Sequence, residues 1–245
     1  MSKTRVMVFP GAHNLPLWLM DNLEISYTVS RDEQIAKIHQ GDVDVVHTSP
    51  DNLFLSDAAF LVPFLAGTVG PLHLVSTGIS EKHVLAVDNP NSGFGRLAYA
   101  WLRTNEPDVQ YQVVSVGGTK QRFDALTSGR ATLAVMHPPF TELCEVKGYS
   151  VLGRVDVGYP TLCGACHQGL ENSQVVQAYK ENYRRALERL ASDDGEVLAR
   201  ETLAIHLPDT EAGVRMSIAD TMRREIVAAG VEYDEDSANR LKNLS

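Results

Sequence analysis

The sequence predicts an α/β protein of two similar lobes, each a mixed sheet flanked by helices. Three observations predict it. The chain is 245 residues long with 44% hydrophobic and 22% charged residues, an ordinary globular composition with enough length for one large domain or two small ones. A helix–glycine–strand–proline pattern occurs twice at an offset of 88 residues. Apolar strand-like runs in both halves end in loops rich in Gly, Pro, Asn and Ser. The expected division is 1–82 for the first lobe and 83–160 for the second, with 161–245 returning to the first lobe and adding C-terminal helices.

The repeat carries most of this reading. Residues 31–51 align without gaps to 119–139. Ile35 matches Phe123, Ile38 matches Leu126 and Gly41 matches Gly129. Val43, Val45 and Pro50 match Ala131, Leu133 and Pro138. Apolar residues three apart mark a short amphipathic helix. The glycine stands where a helix end needs a left-handed residue. The apolar runs 43–46 and 133–136 read as buried strands, and the proline ends each strand. Parallel α/β units offer ligands the loops at the C-terminal ends of their strands, so two such units would aim their loops at a shared cleft.

The remaining elements fit the same plan. Residues 5–9 read as the first strand and 11–16 as its loop. Residues 83–87 read as a strand ending in the turn-rich DNPNSG at 88–93. Leu97, Ala98, Trp101 and Leu102 share one helix face. Residues 111–116 read as a strand ending at Gly117-Gly118, and Thr119 is placed to cap the next helix. Val176, Tyr179, Tyr183, Leu187 and Leu190 form a helical stripe read as core, with Asn172 or Ser173 as its cap.

Charge and termini bound the function. A formal net charge of -9 gives no electrostatic footprint for nucleic acid. The first residues lack the apolar stretch of roughly 7–15 that a secretory signal needs. No run reaches the roughly 18 apolar residues of a membrane span. A cytoplasmic location is therefore expected. The three cysteines, Cys144, Cys163 and Cys166, are too few and too odd in number for a disulfide framework. The oligomeric state is left open.

The runs GDVDVVHTSPDN at 41–52, DNPNSGF at 88–94, VGGT at 116–119 and HPPF at 137–140 resemble the type II periplasmic-binding-protein superfamily. The nearest branch holds sulfonate/taurine-type solute-binding proteins and thiamine-pyrimidine synthases. The resemblance covers roughly residues 5–190. It implies a hinged two-lobed fold with a ligand between the lobes, held largely by backbone N–H groups and helix N-termini. It departs from the family in lacking an export signal and in the short stretch between the first helix and residues 23–27. The full cysteine cluster of the synthases is absent as well.

Placing the loops at the cleft gathers His13, His47, His137, Cys163 and Cys166 as candidate catalytic residues. Asn14, Thr48, Ser49, Asp51, Asn52, Asn91, Ser92, Gly93, Gly118, Thr119 and His167 are candidate ligand contacts. Three chemistries are compatible with this set. A cysteine thiolate could be a nucleophile beside a histidine that moves protons. Cys163, Cys166 and His167 could bind a metal ion, although neighbours on a strand face opposite sides. The cysteines could instead be packing residues and the histidines hydrogen-bond donors. No cofactor is specified beyond that possible metal. No arginine falls clearly in a predicted cleft loop, which speaks against a tightly held sulfonate or phosphate. The expectation is a small-molecule-binding protein acting as an enzyme on a polar, anionic or heteroaromatic metabolite, with lyase, decarboxylase or pyrimidine-forming chemistry in view. The alternatives are a non-catalytic solute-binding protein or ligand sensor, and a metal-dependent enzyme.

Overall fold

A computed structural model describes residues 3–78 and 83–244. Its strands are β1 (Thr4–Val8), β2 (Leu23–Tyr27), β3 (Val45–Thr48), β4 (Leu61–Gly67), β5 (His73–Ser76), β6 (His83–Val87), β7 (Tyr111–Ser115), β8 (Leu133–Met136), β9 (Ser150–Arg154) and β10 (Leu162–His167). Its α-helices are α1 (Leu15–Trp18), α2 (Arg31–His39), α3 (Gly93–Asn105), α4 (Thr119–Thr127), α5 (Phe140–Val146), α6 (Gln174–Ala191), α7 (Gly195–His206), α8 (Ala212–Ala229) and α9 (Glu235–Lys242).

The chain divides into two compact units. One is Met1–Gly70 with Pro160–Glu235, and the other is Pro71–Tyr159 with Asp236–Ser245. The first holds the sheet β2-β1-β3-β10-β4 and the second the sheet β7-β6-β8-β5-β9. The expected boundary at residue 82 lies outside the described residues. The first crossing falls at Gly70/Pro71 because β5 is hydrogen-bonded between β8 and β9 of the second sheet. The chain end, expected in the first lobe, groups with the second unit, where Arg96 Nη1 donates to the Lys242 carbonyl at 2.8 Å.

The repeat is structural. At the offset of 88, α2 superposes in sequence on α4, β3 on β8 and β2 on β7. The register repeats too: Val6 opposes Val45 in one sheet and Leu85 opposes Leu133 in the other. Gly41 and Gly129 end their helices with φ of 73° and 72°, a left-handed conformation that costs other residues about 1 kcal/mol or more. The two units differ in the first crossover helix, four residues in α1 and thirteen in α3. That difference accounts for the shorter offset between β1 and β6.

Central parallel strands are covered on both faces, so they read as unbroken apolar runs. Leu133–Met136 is entirely buried, as is Val45–Thr48. The strand Val45–Thr48 begins two residues later than its apolar run at 43–46 suggests. Asp44 precedes it, tied by its carboxylate to the Arg5 backbone N–H at 2.8 Å and to Arg5 Nη2 at 2.7 Å. His47 is consequently an interior strand residue rather than a loop residue.

Helix signals follow the sequence closely. Ser173 caps α6 by accepting the Val176 N–H at 3.3 Å, and the stripe Val176, Tyr179, Tyr183, Leu187 and Leu190 is buried. Residues 11–16 are not an open loop: a 3-10 turn, Ala12–Asn14, runs into α1 with Pro16 near its start, where a missing N–H costs nothing. Among the described residues, no helix is long and apolar enough to cross a membrane.

Candidate functional site

The C-terminal ends of the parallel strands form one polar face in each unit. In the first unit the chain leaves β1 and turns back at Gly11. A Cβ there would lie 2.6 Å from the His13 ring, so glycine is what allows the imidazole to fold over its own loop. His13 Nε2 lies 3.1 Å from the Phe9 carbonyl, and Asn14 Nδ2 donates to the same oxygen at 2.8 Å and to the Gly11 carbonyl at 3.2 Å. Both side chains are buried.

His47, on β3, is also buried, with Nε2 2.8 Å from the Tyr179 hydroxyl of α6. Gly164 opposes it across the ladder with β10. A Cβ on Gly164 would lie 2.9 Å from the Leu65 Cβ and 3.3 Å from His47 Nε2. The spacing residue between Cys163 and Cys166 is thus what admits the imidazole. Burial lowers the pKa of His13 to about 4 and of His47 to about 3, the latter helped by the neighbouring His13 charge. Both rings are neutral near pH 7. Beyond the strand, Thr48 accepts from Asn52 Nδ2 at 2.8 Å, and the Ser49 hydroxyl donates to the Asp51 carboxylate. Cys163 Sγ donates to the Thr48 carbonyl at 3.5 Å. Burial pushes its pKa up, with the Asp51 charge adding to the effect.

In the second unit Ser92 caps α3. Its hydroxyl accepts the Gly95 N–H at 3.1 Å and donates to the Asp88 carboxylate. Ser115 donates to the Asp88 carbonyl at 2.6 Å. Arg122, on α4, lays a buried guanidinium beneath these loops. Its Nε donates to the Val135 carbonyl at 3.0 Å, Nη2 to Thr119 Oγ1 at 2.8 Å, and Nη1 to the Gly117 carbonyl at 3.4 Å. Nη1 stands 4.0 Å from Asp88 Oδ1, and the Phe94 ring lies 5.7 Å from Cζ. Burial lowers the Arg122 pKa, and the Asp88 charge works against that fall.

Thr119 does not cap α4, because Gly118 is the residue preceding the helix. The Thr119 hydroxyl meets His137 Nε2 at 2.8 Å instead. That oxygen also accepts from Arg122 Nη2, and in a neutral ring protonated at Nδ1 it is the Thr119 hydroxyl that donates to Nε2. His137 Nδ1 faces the Pro138 carbonyl at 2.9 Å, which suits a ring protonated at Nδ1 and accepting at Nε2. Asn91 is exposed on the same loop, its N–H turned onto Asn89 Oδ1 at 2.9 Å.

Some predicted residues are not brought together. Cys166 opposes Val45 at the far end of β3 from Thr48, and His167 opposes Leu61. His167 closes a turn, accepting the Gly169 N–H at 3.2 Å, with its ring 5.3 Å from Phe60. The CxxC spacing therefore gathers no site. Among the described residues, no three His, Cys, Asp or Glu side chains cluster as metal ligands. A surface depression of about 430 Å³ lined by Lys3, Thr4, Arg5, Glu24, Asp44 and Val175 lies at the opposite edge, by the start of β1, and includes none of the predicted residues.

Sequence reasoning missed Gln34, Asp88 and Arg122, and it assigned Tyr179 to packing alone. Gln34 and Arg122 sit at matching places inside the repeat, so the alignment itself held the signal. Arg122 stands on α4 rather than in a loop, and it reaches these loops from the helix because two carbonyls and a hydroxyl take its donors.

The two sheets, their flanking helices and their strand order define a type II periplasmic-binding-protein-like fold. No protein-family model matches the chain, and no curated protein matches it in sequence. Solved structures do. The ligand-binding component of an ABC-type import system from Staphylococcus aureus, solved with zinc bound, aligns with a TM-score of 0.81 at 13% identity over 100% of this chain and 91% of its own. The periplasmic aliphatic sulphonate binding protein of Escherichia coli gives a TM-score of 0.73 at 14% identity over 100% and 85%. The periplasmic nitrate-binding protein of Synechocystis gives 0.70 at 10% over 89% and 70%.

Proposed function

We propose that this chain is a non-catalytic solute-binding protein for a small polar molecule, the loops after β1 and β3 of the first unit and those after β6, β7 and β8 of the second each offering polar groups. The observation that carries this reading is the chemical state of the cysteine and histidines at those loops. The Cys163 thiol is buried, donates to a backbone carbonyl, and has its pKa raised. A nucleophilic cysteine needs the opposite, a lowered pKa beside a cation or a helix N-terminus. His13 and His47 are neutral and spent on a backbone carbonyl and on Tyr179. His137 has Thr119 at one nitrogen and Pro138 at the other. Such groups orient a ligand or brace a loop, and none is poised to move a proton. The fold similarity to import-system binding proteins agrees with this reading, although fold alone does not decide function.

Native mass spectrometry of the purified protein tests it. A bound organic molecule that survives incubation in excess with the protein supports binding. Its conversion to another mass overturns the reading in favour of catalysis.

A further inference from the structure

The loop after β6, at 88–93, is held at three of its carbonyls by side chains from outside it. Ser115 of β7 donates to the Asp88 carbonyl at 2.6 Å, the Tyr99 hydroxyl of α3 to the Pro90 carbonyl at 3.2 Å, and Arg96 Nε to the Asn91 carbonyl at 3.2 Å. The first two donors are themselves fixed. Ser115 lies in a strand paired with β6, and the Tyr99 ring stacks on Tyr111 with centroids 6.4 Å apart. Arg96 differs. A long arginine side chain loses much rotamer freedom when it is held in one place. It also stands in the first turn of α3, where the helix dipole disfavours a cation.

What holds Arg96 is the far end of the chain. Its Nη1 donates to the Lys242 carbonyl at 2.8 Å, 146 residues away. Lys242 closes α9. The last four carbonyls of a helix have no intrahelical donor, and that end of the dipole attracts a cation. One guanidinium thus answers two carbonyls with two different nitrogens. The helix α9 has eight residues, with Ser237, Ala238 and Leu241 buried. A helix that short does not stand alone in water, so its carbonyl is in place only while α9 is docked.

We infer that the C-terminal helix is a strap that positions the loop at 88–93, and that Arg96 is the positioning residue that carries its hold from the Lys242 carbonyl to the Asn91 carbonyl. Arg96, Asn91 and Lys242 all belong to the second unit. The use of a fixed loop to a solute rests on the solute-binding reading. The strap does not, and its test needs no ligand.

That test is hydrogen exchange, read by mass spectrometry on the full chain and three variants. Leu241→Asp places a charge at a buried position and undocks α9. Arg96→Met keeps the side-chain stem and a good helix former but removes both donors. The third variant combines the two. Peptides covering 88–96, 235–245 and, as a control in the first unit, 41–52 are followed. Leu241→Asp should speed exchange in 235–245 and, by about fivefold or more, in 88–96, the share that one hydrogen bond ordinarily holds. Arg96→Met should speed 88–96 to a similar degree. The double variant should speed it no further, because both changes cut one path. In all three, 41–52 should keep its wild-type rate. An 88–96 segment that keeps its wild-type rate while 235–245 is freed overturns the strap. So does a 235–245 segment that is unprotected in the wild type, or an equal rise in 41–52, which would mark general loosening. Additive effects in the double variant overturn Arg96 as the link.

Discussion

Gln34 and Arg122 hold equivalent places in the two units and make the same bond. Gln34 Nε2 donates to the His47 carbonyl at 2.9 Å, and Arg122 Nε donates to the Val135 carbonyl at 3.0 Å. His47 and Val135 are themselves equivalent within the repeat. Each helix side chain thus ties down the end of the central parallel strand, where the ladder stops and the loop begins. Gln34 also donates to the Met7 carbonyl at 3.2 Å, joining β1 to the same clamp.

Gln34→Leu is expected to leave buried carbonyls without donors, costing about 1–3 kcal/mol. Arg122→Met should cost at least as much, because it also strips Asp88 of its nearest cation and Thr119 of its donor. Urea unfolding of each variant checks this. A loss below about 0.5 kcal/mol for both would mean that these bonds do not hold the strand ends.

Gly164→Ala should destabilise by about 1–3 kcal/mol through overpacking, since the new methyl meets the Leu65 Cβ at 2.9 Å in a closed interior. It should also disturb the contact between His47 and Tyr179. The control is Gly213→Ala in the first turn of α8, where nothing lies within 4 Å of the added carbon. That change should be neutral or stabilising by up to about 1 kcal/mol.

These two clamps show what could be read in the sequence and what could not. The helix–glycine–strand unit was legible because glycine geometry and apolar runs are local signals. The strand 133–136 and the positive φ of both glycines came from that pattern alone. The site was legible only in part. The loops after β1 and β8 do carry His13 and His137, and His47 lies inside β3, but what a ring does can depend on a partner far along the chain, such as Tyr179 for His47. Cys166 was misplaced because a strand separates residues three apart by nearly 10 Å, so CxxC spacing on a strand does not imply a shared site. Arg122 was overlooked because an arginine on a helix looks solvent-facing until its carbonyl partners are known.

Acid should loosen the fold in a defined window. His13 and His47 are held at about 4 and about 3, below their ordinary value near 6.5. Between those values and 6.5 the unfolded chain takes up protons that the folded chain refuses. Stability is therefore full above about 6.5 and falls as pH drops, by up to about 1.4 kcal/mol per pH unit for each ring. Glu142 acts in the other direction. Burial raises its pKa from 4.5 to about 7, so its contribution grows as pH falls from 7 towards 4.5 and offsets about one histidine. Glu142→Gln should therefore steepen the acid loss between 4.5 and 6.5, and His47→Gln should flatten it. The slopes of unfolding free energy against pH decide the matter, and slopes unchanged in both variants would show that these groups titrate normally.

The cysteines should be silent in the folded protein. All three are free and buried. Burial lifts Cys144 to about 12 and Cys166 to about 11, and it lifts Cys163 as well, with the Asp51 charge nearby. At pH 8 a thiol with a pKa near 11 is roughly a thousandth thiolate, and only the thiolate reacts. Ellman's reagent should titrate no thiol in the native protein on the timescale in which it titrates three in denaturant. Cys163→Ser should change ligand affinity less than threefold, because the sulfur touches a backbone carbonyl that a hydroxyl can serve equally well. A single fast-reacting thiol in the native state, lost in Cys163→Ser, would restore the nucleophile and with it the enzymatic reading of this site.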